Sequence, residues 1–242
     1  MDHWLTRTEL LIGKSNIERL RKAHVLVVGL GGVGAYAAEM LCRSGIGAMT
    51  IVDCEEISLS NRNRQLLALE STTEMRKTTV MAARLRDINP NIRLTVIDNF
   101  LNEENIEKIF SANNPFDHVV DAIDTLAPKI TLISYCVQHQ IPIVSSMGSG
   151  AKLDATKVEI ADISKSHHCP LAHMLRKRLG REKGIKRGIK VVFSPEIPNE
   201  EAIELVEERN KKSIVGTISY LPPVFGCVCA QVVINDIIKY PA

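Results

Sequence analysis

No Cys-x-x-Cys pair occurs anywhere in the 242 residues. The cysteines Cys42, Cys54, Cys136, Cys169, Cys227 and Cys229 are scattered along the chain. That spacing excludes structural zinc of the four-cysteine kind, and the lack of a disulfide framework suits a reducing, cytoplasmic setting. Nor is there a clean membrane span. The longest apolar stretch, Tyr220–Ile238, opens with two prolines and is interrupted by Gln231, Asn235 and Asp236. A spanning helix wants about 20 predominantly apolar residues and tolerates polar groups poorly at its centre. The stretch therefore reads as a buried or subunit-interface helix from Val224 to Lys239, without stable membrane insertion; peripheral membrane association is the weaker alternative. The N-terminal residues MDHWLTRTELL lack the basic start and apolar core of a signal peptide. Net charge is +2, so the chain as a whole carries no polyanion-binding signature. Internal repeats and low-complexity linkers are missing too. A hydrophobic content of 45% is enough to bury the core of one large α/β domain.

What is present begins with a turn. The apolar run Val25–Val28 leads into Gly29-x-Gly31-x-x-Gly34, which opens a helix near Gly32 and Val33. The first glycine allows a tight turn, the second lets backbone approach a phosphate, and the third lets helix pack on strand. The phosphate then meets unpaired N–H groups at the positive end of a helix. A second strand, Ala48–Val52, ends in Asp53, which stands at the spacing expected of an acid that accepts ribose hydroxyls. This much implies a nucleotide without saying which.

The alternation of strands and helices continues. Ser71-x-x-Glu74 has the form of a capping box opening a helix through Ile88, stopped by Asn89-Pro90. Arg93–Ile97 reads as a third strand, Glu103–Phe110 as a short helix, and His118–Ala122 as a fourth strand running into Asp121-Ala-Ile-Asp124. A helix over Ala127–Gln140 and a strand over Ile141–Ser145 follow. Strands that are apolar on both faces belong to a mostly parallel, helix-covered sheet. Beyond Gly148 the period changes, and Ala151–Leu153 with Lys157–Ile163 reads as an antiparallel pair. The expected fold is α/β: a Rossmann-like, doubly wound, mostly parallel sheet with an antiparallel C-terminal extension. Residues 1–242 form a single domain, with an ATP-binding core over 1–150 and the extension, basic segment and C-terminal helix over 151–242.

The segment Asp53–Gln65, DCEEISLSNRNRQ, separates the nucleotides. A dehydrogenase has no need of arginines, asparagine and glutamine here, whereas an enzyme that polarises a triphosphate does. Arg64 can grip phosphate oxygens bidentately, Lys77 adds a point charge, and Asn61 can orient the α-phosphate or an attacking carboxylate. Asp124, just past a strand's carboxyl end, can hold Mg2+ through the phosphates. Such groups neutralise charge on a departing pyrophosphate.

GLGGVGA, Asp53, SLSNRNRQ, Lys77 in MRK and DAID together resemble the ubiquitin-activating-enzyme-like ThiF/MoeB family, whose members adenylate carboxylates; the likeness runs from Arg7 to about Ser146. It implies that Gly29, Gly31, Gly32 and Gly34 contact ATP and that Asp53 takes the ribose. Asn61, Arg64, Gln65 and Lys77 would surround the phosphates, Arg64 and Lys77 as catalytic groups, and Asp124 would hold Mg2+. It also implies a homodimer in which Arg7 enters the partner's site. Family members that activate ubiquitin-like sulfur carriers bear two CxxC pairs in the C-terminal half, and this chain has none. Instead ADISKSHHCPLAHMLRKRLG (Ala161–Gly180), VVFSPE (Val191–Glu196) and the apolar helix around Gly226 resemble the branch that acts on threonylcarbamoyladenosine in tRNA. The implied activity is ATP-dependent cyclisation by loss of water, releasing pyrophosphate and AMP. The implied partners are that tRNA, a second copy of the chain and a sulfur-transfer protein. Adenylation of a ubiquitin-like sulfur carrier, and an NAD-binding oxidoreductase or sensor, stand as the other readings.

Charge distribution adds a separate argument. Lys165–Lys190 holds nine basic residues against the single acid Glu182. Arg176, Lys177, Arg178, Arg181, Lys183, Lys186 and Arg187, interspersed with Gly180, Gly184 and Gly188, form a candidate RNA-backbone contact; a solvated helix face is the plainer account. Cys169, within HHCP, has only His173 as a further nearby ligand, which argues for packing over metal binding or acyl transfer.

Overall fold

The computed structural model describes residues 4–111, 115–205 and 213–240. Helices α1 (Thr6–Ile12) and α2 (Lys14–Lys22) lead into β1 (His24–Val28), α3 (Gly34–Arg43) and β2 (Ala48–Asp53). Then come α4 (Lys77–Ile88), β3 (Arg93–Asp98), α5 (Ile106–Ser111), β4 (His118–Asp121), α6 (Leu126–Gln138) and β5 (Ile143–Ser146). The chain closes with β6 (Glu159–Asp162), α7 (Pro170–Lys183), β7 (Lys190–Phe193), the hairpin β8 (Ile203–Leu205) and β9 (Ser213–Val215), and α8 (Leu221–Ile238).

Seven strands form one sheet in the order β3-β2-β1-β4-β5-β7-β6, parallel except for β6 at one edge. Because β1 sits between β2 and β4, the winding reverses there, and a crevice opens outside the carboxyl ends of β1 and β4. Successive residues of a strand face opposite sides, so one strand feeds two cores. Val25 and Val27 join the core under α3, α4 and α8; Leu26 and Val28 join the core under α6 and α7.

Helix α8 is the one described helix long and apolar enough to cross a bilayer by length and composition. It packs inside the protein instead. Its two prolines stand at the helix start, where no backbone N–H is lost. A Cβ on Gly226 would strike Val33 O and come within 2.9 Å of Tyr36 Cβ, so α8 lies directly on α3.

Two expectations are corrected. The helix that was to start at Ser71 starts at Lys77. Residues Glu70–Thr72 form a 3-10 turn, Glu74 takes φ 66°, and Glu74 N–H donates to Ile57 O at 2.8 Å. A tertiary bridge has taken the backbone that a capping box would have used. In the extension, β6 pairs with β7, not with Ala151–Leu153. The true partner lies beyond α7 in sequence, out of reach of local pattern.

Candidate active site

The glycine turn is held from three sides. Gly29 has φ 89°, its N–H donates to Val52 O at 2.8 Å, and a Cβ on it would lie 2.7 Å from Ala122 O. A Cβ on Gly34 would overlap Gly29 O. Both positions are closed to side chains by backbone. Gly31 differs: Gln65 Nε2, 3.8 Å from where its Cβ would be, is the nearest atom. Gly32 has Pro222 of α8 on one side and the Arg64 stem on the other. The turn thus leaves its open space at Gly31, at the start of α3, where a phosphate would meet free N–H groups.

Asp53, the last residue of β2, braces this turn as well as facing the crevice. Its Oδ2 accepts the Leu30 N–H at 2.6 Å and its Oδ1 accepts the Glu55 N–H at 2.8 Å. Each oxygen keeps a further lone pair for a ribose hydroxyl. The brace was not readable from spacing alone.

The segment after Asp53 folds back on itself. Ile57 N–H donates to Met75 O at 2.9 Å and Lys77 N–H to Glu55 O at 3.1 Å, which brings Lys77 beside the Asp53 end of β2. The Lys77 side chain is 2% exposed, and its Nζ donates to Glu55 Oε2 at 2.6 Å. Asn61 ends a 3-10 turn, and its Oδ1 accepts the Ser58 N–H at 3.1 Å. Arg64 donates from Nη1 to Ser60 O and Asn63 Oδ1, both at 2.9 Å. Among the described residues its Nε and Nη2 have no partner, which leaves two donors for an anion. Gln65 Oε1 is buried and likewise unpartnered. An orphaned buried acceptor beside a glycine turn is costly unless a ligand donor meets it.

Asp124 is exposed in the loop after β4, two residues from the Ala122 that packs on Gly29. No hydrogen bond or ion pair engages its carboxylate among the described residues. No group of three His, Cys, Asp or Glu side chains able to hold a metal is found among them either. The single exposed Asp124 carboxylate fits Mg2+, which keeps waters and takes one or two carboxylates plus substrate phosphates. Sequence reading missed the groups beneath: Asp121, Lys129 and Ser145, all fully buried. Asp121 was visible in DAID, but nothing local marked Lys129 as its partner.

The remaining expected residues lie elsewhere. Arg7 is exposed on α1, and neighbouring Leu5 packs on Gly45, just before the amino end of β2. Strands of five or six residues set that end roughly 16–20 Å from the glycine turn. Arg7 is therefore not part of its own chain's site. Helix α7 begins near the crevice, where Cys169 Sγ is 3.5 Å from a Gly148 Cβ, and carries its basic residues away from it. Lys183, Lys186 and Arg187 lie at the far end, ahead of β7. Arg176 is tied to Ser166 O at 2.7 Å. Arg178 and Arg181 share Glu182, whose carboxyl they hold down at about 2. Lys177, Lys183, Lys186 and Arg187 are exposed and without ion-pair partners among the described residues. Cys169 is buried at the start of α7, its Sγ accepting the Ala172 N–H at 3.5 Å.

The sequence model of the ThiF family matches residues 5–242, and the chain belongs to that family. It is 40% identical to the tRNA threonylcarbamoyladenosine dehydratase of Bacillus subtilis (strain 168), over 99% of this chain and 96% of that protein. The fold matches the crystal structure of the E. coli tRNA N6-threonylcarbamoyladenosine dehydratase, TcdA, in complex with ATP, with a TM-score of 0.89 and 34% identity over 99% of this chain and 96% of that one. The same E. coli protein in complex with AMP matches at TM-score 0.88 and 34% identity, over 99% and 97% of the two chains.

Proposed function

We propose that this protein is an ATP-dependent tRNA threonylcarbamoyladenosine dehydratase that works by adenylating a carboxylate. Likeness over nearly the whole of both chains supports that activity. The observation that carries the chemistry is the open space at Gly31, faced by Gln65 Nε2, with the Arg64 stem beside neighbouring Gly32. The triphosphate lies over the start of α3, with the ribose on Asp53. The threonylcarbamoyl carboxylate attacks the α-phosphate in line and pyrophosphate leaves. A nucleophile of the same substituent then attacks the acyl carbon, closing a ring and expelling AMP. Activation is needed because oxide is a poor leaving group and AMP is a good one; closure within one substituent gains from proximity.

Arg64 and Lys77 stabilise charge on the departing pyrophosphate. Lys77 is released from exposed Glu55 as phosphate takes the carboxylate's place. Asn61 orients the reacting groups. Asp124 would hold Mg2+, which when bound would neutralise phosphate charge. The reading includes a homodimer, because Arg7 can reach only a neighbouring copy's site, and a cytoplasmic setting in which Lys177, Lys183, Lys186 and Arg187 contact the tRNA backbone.

The test is AMP release by Arg64→Ala. It falls about 10²- to 10³-fold while tRNA binding persists. Arg7→Ala is likewise impaired, and mixing the two variants restores activity through heterodimers that carry one intact site. Unchanged AMP release by Arg64→Ala overturns the reading.

A further inference from the structure

Beneath the crevice lies a charged group that the chemistry above does not use. Asp121 and Lys129 are both fully buried, with Lys129 Nζ 2.8 Å from Asp121 Oδ2. The same Oδ2 accepts the Ser145 hydroxyl at 2.6 Å. The pair also holds the backbone of one residue, Ile123, at both ends, through the peptide before it and the peptide after it. Asp121 Oδ1 accepts the Ile123 N–H at 3.1 Å, and Lys129 Nζ donates to Ile123 O at 2.9 Å. One residue earlier, Ala122 N–H donates to Val28 O at 2.9 Å, and Ala122 O presses on Gly29. One residue later stands Asp124.

We propose that Asp121 and Lys129 are positioning residues: their ion pair clamps the backbone on both sides of Ile123, in the loop after β4 and beside the glycine turn, and so aims the Asp124 carboxylate at the metal it would hold. This rests on the assignment of Asp124 as the Mg2+ ligand. The physical case is one of alternatives. Burying an ion pair brings little stability over well-packed apolar residues, so such a pair is weak as a stability device. Its value lies in fixing geometry. A fully satisfied buried network rigidifies what it touches, and this one touches the backbone next to an otherwise unsupported carboxylate. Groups that orient a metal's ligand are worth about 10- to 100-fold in metal affinity or activity. The surroundings keep the pair dry: the Cys229 thiol nearby is pushed up to about 12 by burial, and Cys136 is raised as well.

The prediction is about metal, apart from nucleotide. Mn2+ serves as probe in place of Mg2+, titrated into the protein–ATP complex and followed by electron paramagnetic resonance. ATP affinity without metal is measured in parallel by calorimetry. Lys129→Met is the direct variant. Since it strands a buried carboxylate and can fail to fold, Asp121→Asn/Lys129→Met accompanies it. The double variant removes both charges, keeps an acceptor for the Ile123 N–H, and still frees Ile123 O. The expected result is a rise of about tenfold or more in half-saturating Mn2+ for the double variant and for Asp124→Asn, with metal-free ATP affinity unchanged in both. If Asp124→Asn loses metal and the folded double variant does not, the clamp is refuted and the Asp124 assignment stands. If Asp124→Asn binds Mn2+ as wild type does, the assignment falls and the clamp with it. If the double variant loses metal-free ATP affinity in parallel, the network is a general support of the crevice and the proposal fails.

Discussion

At the carboxyl end of the sheet the glycine turn is locked by hydrogen bonds of 2.6 to 2.9 Å, from Leu30 N–H to Asp53 Oδ2, Gly29 N–H to Val52 O and Ala122 N–H to Val28 O. At the amino end, Lys183, Lys186 and Arg187 project from a helix terminus and a loop, with no ion pair among the described residues. Under the proposed function both ends meet phosphate, and the difference in build matches a difference in task. Stabilising a transition state requires donors fixed before the reaction, so that none has to reorganise during it. Holding an RNA backbone requires charge of the right sign along a surface; such contacts position the nucleic acid and tolerate mobile side chains.

The contrast can be broken most severely at Gly34. In Gly34→Val the new side chain overlaps Gly29 O, the turn cannot close, and AMP formation falls by more than about 10²-fold, as for loss of a whole set of fixed donors. Single-turnover AMP release measures it. Near-normal release means that the turn is not the phosphate cradle.

A milder, opposite pattern is expected at the other end. Reversing Lys177, Lys183, Lys186 and Arg187 to Glu weakens tRNA binding and lowers the salt slope by about one unit per residue that contacts phosphate. ATP affinity stays as in wild type. Binding isotherms over a range of salt decide it; an unchanged slope makes these residues a solvated face.

The least effect concerns stability. Asp236, near the end of α8, is held below its usual carboxylate range by His118, 3.0 Å away, and by Lys190 at 2.5 Å. A depressed carboxyl stabilises the fold above its unfolded pKa, and that contribution fades as pH falls through the lower folded value. Asp236→Asn therefore costs about 1 kcal/mol or less at neutral pH. The gap to wild type closes below roughly pH 4. Thermal melts across pH test this, and a gap that widens in acid contradicts it.

What could be read from sequence follows the same division. The turn at Gly29, Gly31 and Gly34 and the place of Asp53 at the end of β2 were readable because a strand, a turn and a helix start are contiguous and depend on local backbone. The sheet's parallel core was legible for a related reason: strands covered on both faces read as unbroken apolar runs. The failures were long-range. The Ser71 capping pattern lost its backbone to a bridge with Ile57. Strand β6 found its partner across an intervening helix. Lys129 looked like an ordinary helix lysine, and only the packing of α6 on β4 and β5 reveals it as a buried counter-ion. The basic run was visible as charge, whereas its direction, away from the crevice, is a property of α7's place in the sheet order.

The central claim is that the substrate's carboxylate oxygen leaves on AMP. Its most direct test uses tRNA whose threonylcarbamoyl carboxylate carries heavy oxygen, incubated with the protein and ATP. The nucleosides and nucleotide are then read by mass spectrometry. The account predicts a modified adenosine lighter by one water and the heavy label in AMP. An unchanged nucleoside, or a dehydrated one with unlabelled AMP, contradicts it.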